Sequence, residues 1–367
     1  MTKKQLAVIF GGRSGEHEVS LMSARSMLSV IDRQKYEVTQ IGVTPAGRWL
    51  SGKDVIDAFE HAKYDGLTPL VLPPEPRDGQ LYRMNGAELQ PLVKLDVVFP
   101  LIHGTFGEDG TLQGLLELAN LAYVGCGVLA SAVGMDKSLF KDVMRANHLP
   151  VAESMLFNRE LVSNQVQTVI ESIESKLPYP VFVKPANLGS SVGITRCTSR
   201  SSLLEGLLEA VRFDRRVLVE RGIDAIECEV SVLGNENPIA SVPGEIRPAE
   251  DFYTYSAKYL SGKSELLIPA QLDDSTRQTL SEMAVHAFQA IDGAGMARVD
   301  FLIERATGIP YISEVNTIPG FTSISMYAKL WEAAGISYPE LVDRLIDLAF
   351  QRKQQRDHTE HTYRRDE

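Results

Sequence analysis

Two apolar stretches near the carboxyl end of the chain each carry a pair of polar residues two positions apart. The first pair is Arg298 and Asp300, and the second is Glu314 and Asn316. Side chains two positions apart on a β-strand point to the same face, so this spacing predicts two strands that each present a polar pair to one site. Carboxylate and amide oxygens are ligands that Mg²⁺ accepts when it also binds nucleotide phosphates. The pattern indicates ATP-dependent chemistry, with a surface ladder of paired charges as the alternative.

The length and charge of the chain limit the class of protein. With 367 residues it exceeds one ordinary hydrophobic core, which allows two or three domains. A hydrophobic fraction of 44% and a charged fraction of 23% are typical of a globular protein. The net charge of −11 argues against a surface that binds nucleic acid or anionic lipid, because the phosphate groups would be repelled.

Targeting signals and cysteines bear on the cellular compartment. The apolar run Leu6–Phe10 is too short for a signal-peptide core, and no apolar stretch approaches the length of a membrane span. Cys126, Cys197 and Cys228 are odd in number and lack metal-ligand spacing, so we predict reduced thiols in or near the core. These features predict a cytoplasmic protein.

The order of strand-like and helix-like patterns predicts an architecture with α/β and α+β parts. A buried strand, a glycine turn and a helix open the chain, and an elaborated stretch follows at 44–92. The charged carboxyl end cannot bury enough apolar surface to order itself. The predicted units are an open α/β domain at 1–125, a central α+β unit at 126–220, a third unit at 221–352 with a lid loop near 247–263, and a disordered tail at 353–367.

Two lysines are candidate ligands of phosphate groups. Lys184 ends a predicted strand and precedes the Gly/Ser turn 189–193, whose backbone N–H groups can turn toward an anion. The lysine precedes the glycines, so this is not a Walker A sequence, and a simple hairpin is the alternative. Lys137 lies at the start of a predicted helix, whose cap is Asp136 or a residue just before it, and is a second candidate cation for the same phosphates.

The turn after the first strand contains a carboxylate where a dinucleotide-binding protein would carry a phosphate loop. Gly11 and Gly12 lack the spacing of that fingerprint, and Glu16 would repel a pyrophosphate. The same carboxylate would suit the ammonium group of an amino acid, with an ordinary turn as the alternative. The aromatic segment 251–259 is a candidate lid that excludes water, and His103 ends a strand in glycine-rich turns. Plain packing is the alternative for both.

Taken together, these segments resemble the D-alanine–D-alanine ligases of the ATP-grasp superfamily. The resemblance implies a three-domain ATP-grasp architecture with an N-terminal open α/β domain, small-molecule substrates and a homodimer. It also implies ATP-dependent joining of two D-alanine molecules through an acyl phosphate, for peptidoglycan synthesis. The matching segments, in family order, are Gly11–Ser20, His103–Gly104 with Gly107–Gly110, Met135–Lys137, Lys184–Gly193, Ala257–Tyr259, Arg298–Asp300 and Glu314–Thr317 with Pro319–Gly320.

The resemblance assigns residues to ATP and to two Mg²⁺ or Mn²⁺ ions. The metal ligands are Asp300, Glu314 and Asn316, and the phosphate ligands are Lys137 and Lys184. In the same way Glu220 and Glu227 take the adenine and ribose side, and Lys258 contacts the transferred phosphoryl group when the lid closes.

The resemblance likewise assigns residues to the two D-alanine molecules. Glu16 pairs with the first ammonium group and is oriented through Ser190 and Tyr259. Arg298 and the backbone N–H of Gly320 form an oxyanion hole. The other predicted substrate contacts are His103, Ser325 and Met326, the last through its backbone.

Other functions fit the residues less well. A ligase that uses D-lactate tends to carry a histidine in its lid, and none occurs in 251–260, which favours D-alanine as acceptor. A non-catalytic nucleotide-binding regulator would lack the metal ligands that this chain retains. A nicotinamide dehydrogenase is disfavoured by Glu16, and an ATP-grasp ligase for other substrates is disfavoured by Glu16 and Tyr259. Arg221 stands where lysine or glutamine is familiar, so its contact with adenine stays open.

Overall fold

The computed structural model describes residues 2–76, 79–189, 192–247 and 265–360. Its strands are β1 (Lys4–Gly11), β2 (Tyr36–Val43), β3 (Trp49–Ser51), β4 (Thr68–Val71), β5 (Gln80–Asn85), β6 (Glu88–Lys94), β7 (Val97–Pro100), β8 (Ala122–Tyr123), β9 (Ser154–Asn158), β10 (Val181–Pro185), β11 (Thr195–Cys197), β12 (Arg216–Arg221), β13 (Ala225–Gly234), β14 (Ile239–Ala240), β15 (Gly244–Arg247), β16 (Glu265–Leu267), β17 (Gly295–Glu304) and β18 (Pro310–Asn316). Its helices are α1 (His17–Val30), α2 (Val55–Glu60), α3 (Thr111–Leu118), α4 (Val128–Met135), α5 (Lys137–Ala146), α6 (Arg159–Asn164), α7 (Val166–Glu174), α8 (Arg200–Phe213), α9 (Asp274–Ala290), α10 (Met326–Ala333) and α11 (Tyr338–Asp357).

The first sheet has the strand order β6-β5-β4-β3-β2-β1-β7-β8. Its strands β2, β1, β7 and β8 are parallel, which suits the continuously apolar run Leu6–Phe10, because a central parallel strand is buried on both faces. The stretch 44–92 adds α2 and the antiparallel strands β3 to β6 at one edge. Strands β1 and β7 are neighbours, but the chain after β1 leads to β2 on one side of the pair and the chain after β7 leads to β8 on the other. In open α/β sheets, ligands bind at the carboxyl ends of parallel strands where two connections diverge in this way.

The second sheet has the order β11-β10-β12-β9 and is antiparallel. Val183 and Val219 from the sheet pack against Ile170 of α7 and Leu207 of α8. All buried members of this core lie between residues 157 and 210 or in β12, so the second sheet has a hydrophobic core of its own.

The third sheet has the order β16-β15-β13-β17-β18, with β14 paired to β13. Phe288 of α9 packs beneath it, and so do Phe140 and Met144 of α5. Helices α4 and α5 fall within the central unit predicted at 126–220, and their apolar faces join the core of the third sheet. The reason is that the buried apolar residues of α5, Phe140 and Met144, pack with β17 residues such as Phe301, whereas the buried Lys141 of the same helix reaches Glu220 of the second sheet.

The last two helices pack on the first sheet. Phe321, Tyr327, Trp331 and Leu345 share one core with β1 residues such as Phe10. Helix α11 continues to Asp357, so the prediction of a disordered tail from residue 353 is wrong for its first turn and a half. Ion pairs from this end of the helix, such as Arg356 to Glu117, stabilise the extension.

Several smaller expectations can be compared directly with the structure. Asp136 caps α5 as predicted, since its Oδ1 accepts a hydrogen bond of 3.0 Å from the backbone N–H of Leu139. Cys126, Cys197 and Cys228 are free and buried, as predicted. Within the described ranges, no helix combines the length and apolar character that crossing a membrane requires.

Candidate active site

A cleft of about 1170 Å³ lies where the three sheets meet. Residues that the sequence placed in separate motifs line this one cavity, including the carboxylate after β1 and the polar pairs of β17 and β18. The predicted site residues found in its lining are Glu16, His103, Lys137, Lys184, Glu220, Glu227, Arg298, Asp300, Glu314, Asn316 and Gly320.

Strands β17 and β18 form the polar floor of the cleft. Their antiparallel register places Asp300 opposite Glu314 and Arg298 opposite Asn316. The residue between the members of the first pair, Val299, is buried in the core of the third sheet, which confirms that the polar side chains share the other face. Directly opposite residues on such strands lie about 4.5–5.5 Å apart, so the four side chains form one compact patch.

Charged hydrogen bonds hold this patch together. The Nε and Nη2 atoms of Arg298 each donate to Asp300 at 2.7 Å, in the bidentate geometry that fixes both groups. Arg298 also pairs with Glu229 on β13 at 3.0 Å. Glu229 is a cleft residue that the sequence prediction missed, although its position two residues after Glu227 on one strand was the available signal.

The donor chemistry of the patch suits a hard divalent cation. Asn316 donates through Nδ2 to Asp300 at 3.0 Å, which leaves its amide oxygen as an acceptor beside two carboxylates. Within the described part of the chain, no three His, Cys, Asp or Glu side chains form a metal-binding group. A set of two carboxylates, Asp300 and Glu314, with one amide oxygen leaves positions for phosphate oxygens and water, as Mg²⁺ requires.

Two lysines pair with a buried carboxylate at the boundary between the second and third sheets, and a third lysine lies near them. Glu220 of β12 forms ion pairs with Lys184 of β10 and Lys141 of α5. Lys137 donates to the carbonyl oxygen of Leu188 at 2.5 Å, and its backbone N–H donates to the oxygen of Ala186 at 2.9 Å. The sequence prediction included Lys137 and Lys184 but missed Lys141, because only the tertiary fold brings α5 against β12.

These charges shift one another's ionisation. Burial by itself would raise the pKa of Glu220, but the charges of Lys141 and Lys184 outweigh it and lower that pKa to about 2. Burial would lower the pKa of Lys184, yet Glu220 outweighs burial and raises it. Burial lowers the pKa of Lys137, with partial compensation from Glu314. Lys184 therefore stays positively charged in the cleft.

Glu16 sits in a close-fitting position between two loops. Glu16 is only 8% exposed, and its backbone N–H donates a hydrogen bond of 3.1 Å to the Oγ atom of Ser14. A Cβ atom on Gly104 or on Gly189 would collide with the Glu16 carboxylate. Gly104 also has a φ of +76°, a backbone conformation that favours glycine. The carboxylate thus lies against the turn after β7 and the Gly/Ser turn of the second sheet.

His103 and Glu108 join the loop after β7 to the loop after β18. His103 is hydrogen-bonded through Nδ1 to the oxygen of Ile318 at 2.9 Å and through Nε2 to Ser23 at 2.8 Å, and burial lowers its pKa. Glu108 accepts from the N–H of Gly104 at 2.5 Å and of Ile318 at 3.0 Å. Burial, with repulsion from Glu16, raises the pKa of Glu108 to about 8. Glu108 occurred in a matched segment, but the sequence prediction assigned it no role.

Two predicted substrate contacts lie beside the cleft. Ser325 is the residue before α10. It lies next to Gly320, which lines the cavity, because a Cβ atom added to Gly320 would be 3.3 Å from the Ser325 Oγ. The Ser325 hydroxyl is hydrogen-bonded to Thr322 at 2.7 Å. The side chain of Met326 is buried against Ile246 and Leu330, so only its backbone remains for the predicted contact. Ser190, Lys258 and Tyr259 lie outside the described residues, as does most of the predicted lid.

Comparisons with known proteins agree over almost the whole chain. Family models described as "D-ala D-ala ligase N-terminus" and "D-ala D-ala ligase C-terminus" match residues 5–126 and 143–347. The D-alanine–D-alanine ligase of Heliobacterium modesticaldum is 50% identical, over 98% of this chain and 99% of that protein. The corresponding ligase of Acetivibrio thermocellus is 48% identical, over 95% and 96%.

Solved structures show the same similarity in three dimensions. The D-alanine-D-alanine ligase from Coxiella burnetii matches with a TM-score of 0.83 at 35% identity, covering 97% of each chain. The VanG D-Ala:D-Ser ligase from Enterococcus faecalis matches with a TM-score of 0.84 at 34% identity, covering 95% of this chain and 100% of that one. The fold is therefore the ATP-grasp architecture that the sequence predicted.

Proposed function

Because the chain belongs to the D-alanine–D-alanine ligase family, we propose that the residues of its central cleft carry out the two chemical steps of that ligation. The chain is an ATP-dependent ligase that joins two D-alanine molecules into the dipeptide used for peptidoglycan biosynthesis. The observation that supports the residue roles is that Glu16 lies in the same cavity as Asp300, Glu314 and Asn316.

In the first step, the carboxylate of one D-alanine attacks the terminal phosphate of ATP, and ADP leaves. Glu16 binds the ammonium group of this D-alanine through a charge-assisted hydrogen bond. Lys137 and Lys184 hold the phosphates, and Glu227 contacts the ribose side. Asp300, Glu314 and Asn316 would hold two Mg²⁺ or Mn²⁺ ions, and ions bound there would offset negative charge on the phosphates. The product of this step is an acyl phosphate.

In the second step, the amine of the other D-alanine attacks the carbonyl carbon of the acyl phosphate. The tetrahedral intermediate carries a negative oxygen, and Arg298 with the backbone N–H of Gly320 stabilises it. Phosphate then leaves as the peptide bond forms, and the proton that the amine loses passes to the departing phosphate. Bidentate pairing to Asp300 keeps the Arg298 guanidinium in a fixed orientation for this role.

The remaining assignments complete the two substrate sites. Ser325 and the backbone of Met326 bind the carboxylate of the second D-alanine, next to Gly320. Both ring nitrogens of His103 already have protein partners, so we propose that His103 acts on the substrate site indirectly, by fixing the Ile318 carbonyl group in place. Lys258 contacts the transferred phosphoryl group, and Ser190 and Tyr259 orient Glu16; these three are assigned from the family resemblance alone.

We propose that Glu220 contacts the adenine side through its backbone and not through its carboxylate. Both oxygens of its carboxylate pair with lysines, so its contribution to adenine comes through the β12 backbone. Arg221, the next residue, lines the cleft and pairs with Glu304 at 2.9 Å. We also propose that the chain forms three domains and that the protein is cytoplasmic. We further propose that it is a homodimer, and sedimentation velocity would test this oligomeric state.

The choice of acceptor is tested by product analysis. The purified protein is incubated with ATP and Mg²⁺ together with D-alanine, L-alanine, or D-alanine mixed with D-lactate or D-serine, and the products are identified by mass. D-serine is included because one solved relative is named as a D-Ala:D-Ser ligase. We expect D-alanyl-D-alanine to dominate every mixture and no product from L-alanine. A dominant mixed product would contradict D-alanine as the preferred acceptor.

A further inference from the structure

Lys141 is a buried lysine that the proposed reaction does not use. It lies one turn after Lys137 on α5, and its side chain is 2% exposed. Its ammonium group pairs with Oε1 of Glu220, whereas Lys184 pairs with Oε2 of the same carboxylate. Among the described residues that line the cleft, Lys184 and Glu220 are present and Lys141 is not. Lys141 therefore stands behind the carboxylate, on the side away from the cavity.

Packing alone is a weak reason for a lysine at this position. Removing an ammonium group from water costs several kcal/mol, and an apolar residue of similar size would often be as stable or more so. The neighbours of Lys141 on the same helix, Phe140 and Met144, show that this side of α5 accepts apolar side chains. The buried charge thus needs an explanation in terms of what it does to Glu220.

The charge balance of the three groups supplies that explanation. Burial lowers the pKa of Lys141, and the paired Glu220 carboxylate opposes that shift. With Lys141 protonated in this pair, Glu220 carries one negative charge and the two lysines that contact it carry one positive charge each, so these three groups have a net charge of plus one. If Lys141 were neutral, Glu220 would cancel the charge of Lys184. The lysine that faces the cleft would then attract phosphate groups much less strongly, because opposite charges at close range in a partly buried site largely cancel.

We propose that Lys141 is a positioning residue for nucleotide binding, which pairs with Glu220 so that Lys184 is held in place and keeps a net positive charge for the phosphates. The proposal rests on the proposed role of Lys184 as a phosphate ligand. It predicts that Lys141 affects ligands in proportion to their phosphate charge, although it touches none of them.

The test compares binding of ADP and of adenosine by titration calorimetry. In Lys141→Met, ADP should bind about tenfold more weakly, the effect of losing about 1.4 kcal/mol of charge attraction. Adenosine, which has no phosphate, should bind as it does to the unchanged protein. Met144→Ala, a buried change on the same helix without a charged partner, serves as the control. It should lower stability without changing the ratio of the two affinities.

A double variant separates charge from packing. Lys141→Met combined with Glu220→Gln removes one charge of each sign, so Lys184 regains its net positive charge. The ratio of ADP to adenosine affinity should return toward that of the unchanged protein. This variant also decides the question if Lys141→Met alone fails to fold, since it leaves no unpaired buried carboxylate.

Two results would overturn the proposal. The first is an unchanged ratio of ADP to adenosine affinity in Lys141→Met, which includes equal losses for both ligands, and the second is a lowered ratio that persists in the double variant. A different result bears on the proposed function itself: if the unchanged protein bound neither ADP nor adenosine, the nucleotide role of the cleft would be wrong whatever Lys141 does.

Discussion

Glu16 fits into the cleft because its neighbours Gly104 and Gly189 have no side chains. These two glycines belong to loops of different sheets, so the carboxylate marks the point where the loops come together. A charged group held this firmly needs little reorganisation when it binds an ammonium group, and such preorganisation lowers the cost of binding.

Replacing Glu16 with glutamine should remove the charge and keep the shape. A charge-assisted hydrogen bond contributes about 1.5–3 kcal/mol, so kcat/KM for D-alanine should fall about 10- to 100-fold. Steady-state kinetics with D-alanine and ATP varied separately would measure this. Glu18→Gln is the matched control, because Glu18 lies two residues away on α1 and is exposed. Equal kinetics for Glu16→Gln and the unchanged protein would refute the proposed role.

Glu108 should make the stability of the fold depend on pH. Its pKa of about 8 in the folded protein lies above the ordinary value of 4.5, so between these values the folded state keeps a proton that the unfolded chain has lost. The Glu108 contribution to stability is therefore complete below the ordinary pKa and is lost as pH rises toward 8. Glu108→Gln cannot titrate and should therefore lose less stability over this interval, although its amide nitrogen cannot accept the second backbone N–H, which lowers the stability of this variant at every pH. Urea denaturation at a series of pH values would show the difference, and parallel pH profiles would contradict it.

Helix α5 connects two parts of the molecule. Its apolar face belongs to the core of the third sheet, whereas its first turn is attached to the second sheet through Lys137 and through an ion pair between Asp136 and Arg216. The helix also carries Lys141 toward Glu220. The start of α5 thus sets the position of both lysines relative to the nucleotide-binding side of the cleft.

The cap and the ion pair of Asp136 can be separated by two substitutions. Asp136→Ala loses both, and loss of the cap alone costs about 0.5–2 kcal/mol of stability. Asp136→Asn keeps a side chain that caps helices well and loses only the charge paired with Arg216. We expect thermal denaturation to rank the unchanged protein as most stable, then Asn, then Ala. An Asn variant as unstable as the Ala variant would show that the ion pair matters more than the cap.

The first and third sheets share a hydrophobic core, whereas the second sheet has a separate one. The first and third sheets are joined by α10 and α11, because Tyr327, Trp331 and Leu345 pack in the same core as Phe10, together with Met296 of β17. The second sheet keeps a separate core. Segments with separate cores can open independently, so the second sheet is expected to be the cooperative unit that exchanges on its own.

A cavity in the second core should therefore act locally. Leu207→Ala removes a fully buried side chain and should cost about 2–5 kcal/mol. Hydrogen exchange followed by mass spectrometry should speed up within 154–221 and stay unchanged in β1 and β17. Leu345→Ala is the counterpart in the shared core and should speed exchange in both of those strands. Faster exchange throughout the chain in Leu207→Ala would contradict independent cores.

Local patterns in the sequence were enough to predict the first strand, the strand that Lys184 ends, the shared face of Arg298 with Asp300 and of Glu314 with Asn316, and the cap of α5. Periodicity and capping depend on residues within a few positions, so they can be recognised before the fold is known. The order of the motifs was enough to indicate the family, because seven segments in one order are far more specific than any one of them.

Contacts between distant segments could not be predicted in the same way. The pairing of Lys141 with Glu220, of Glu229 with Arg298, and of Glu108 with the Ile318 N–H each depends on how separate elements pack. The same holds for α4 and α5 joining the third sheet and for α11 continuing over the first. Whether a charged side chain is exposed to solvent or paired with another group depends on its surroundings, and those surroundings form only when the sheets and helices pack together.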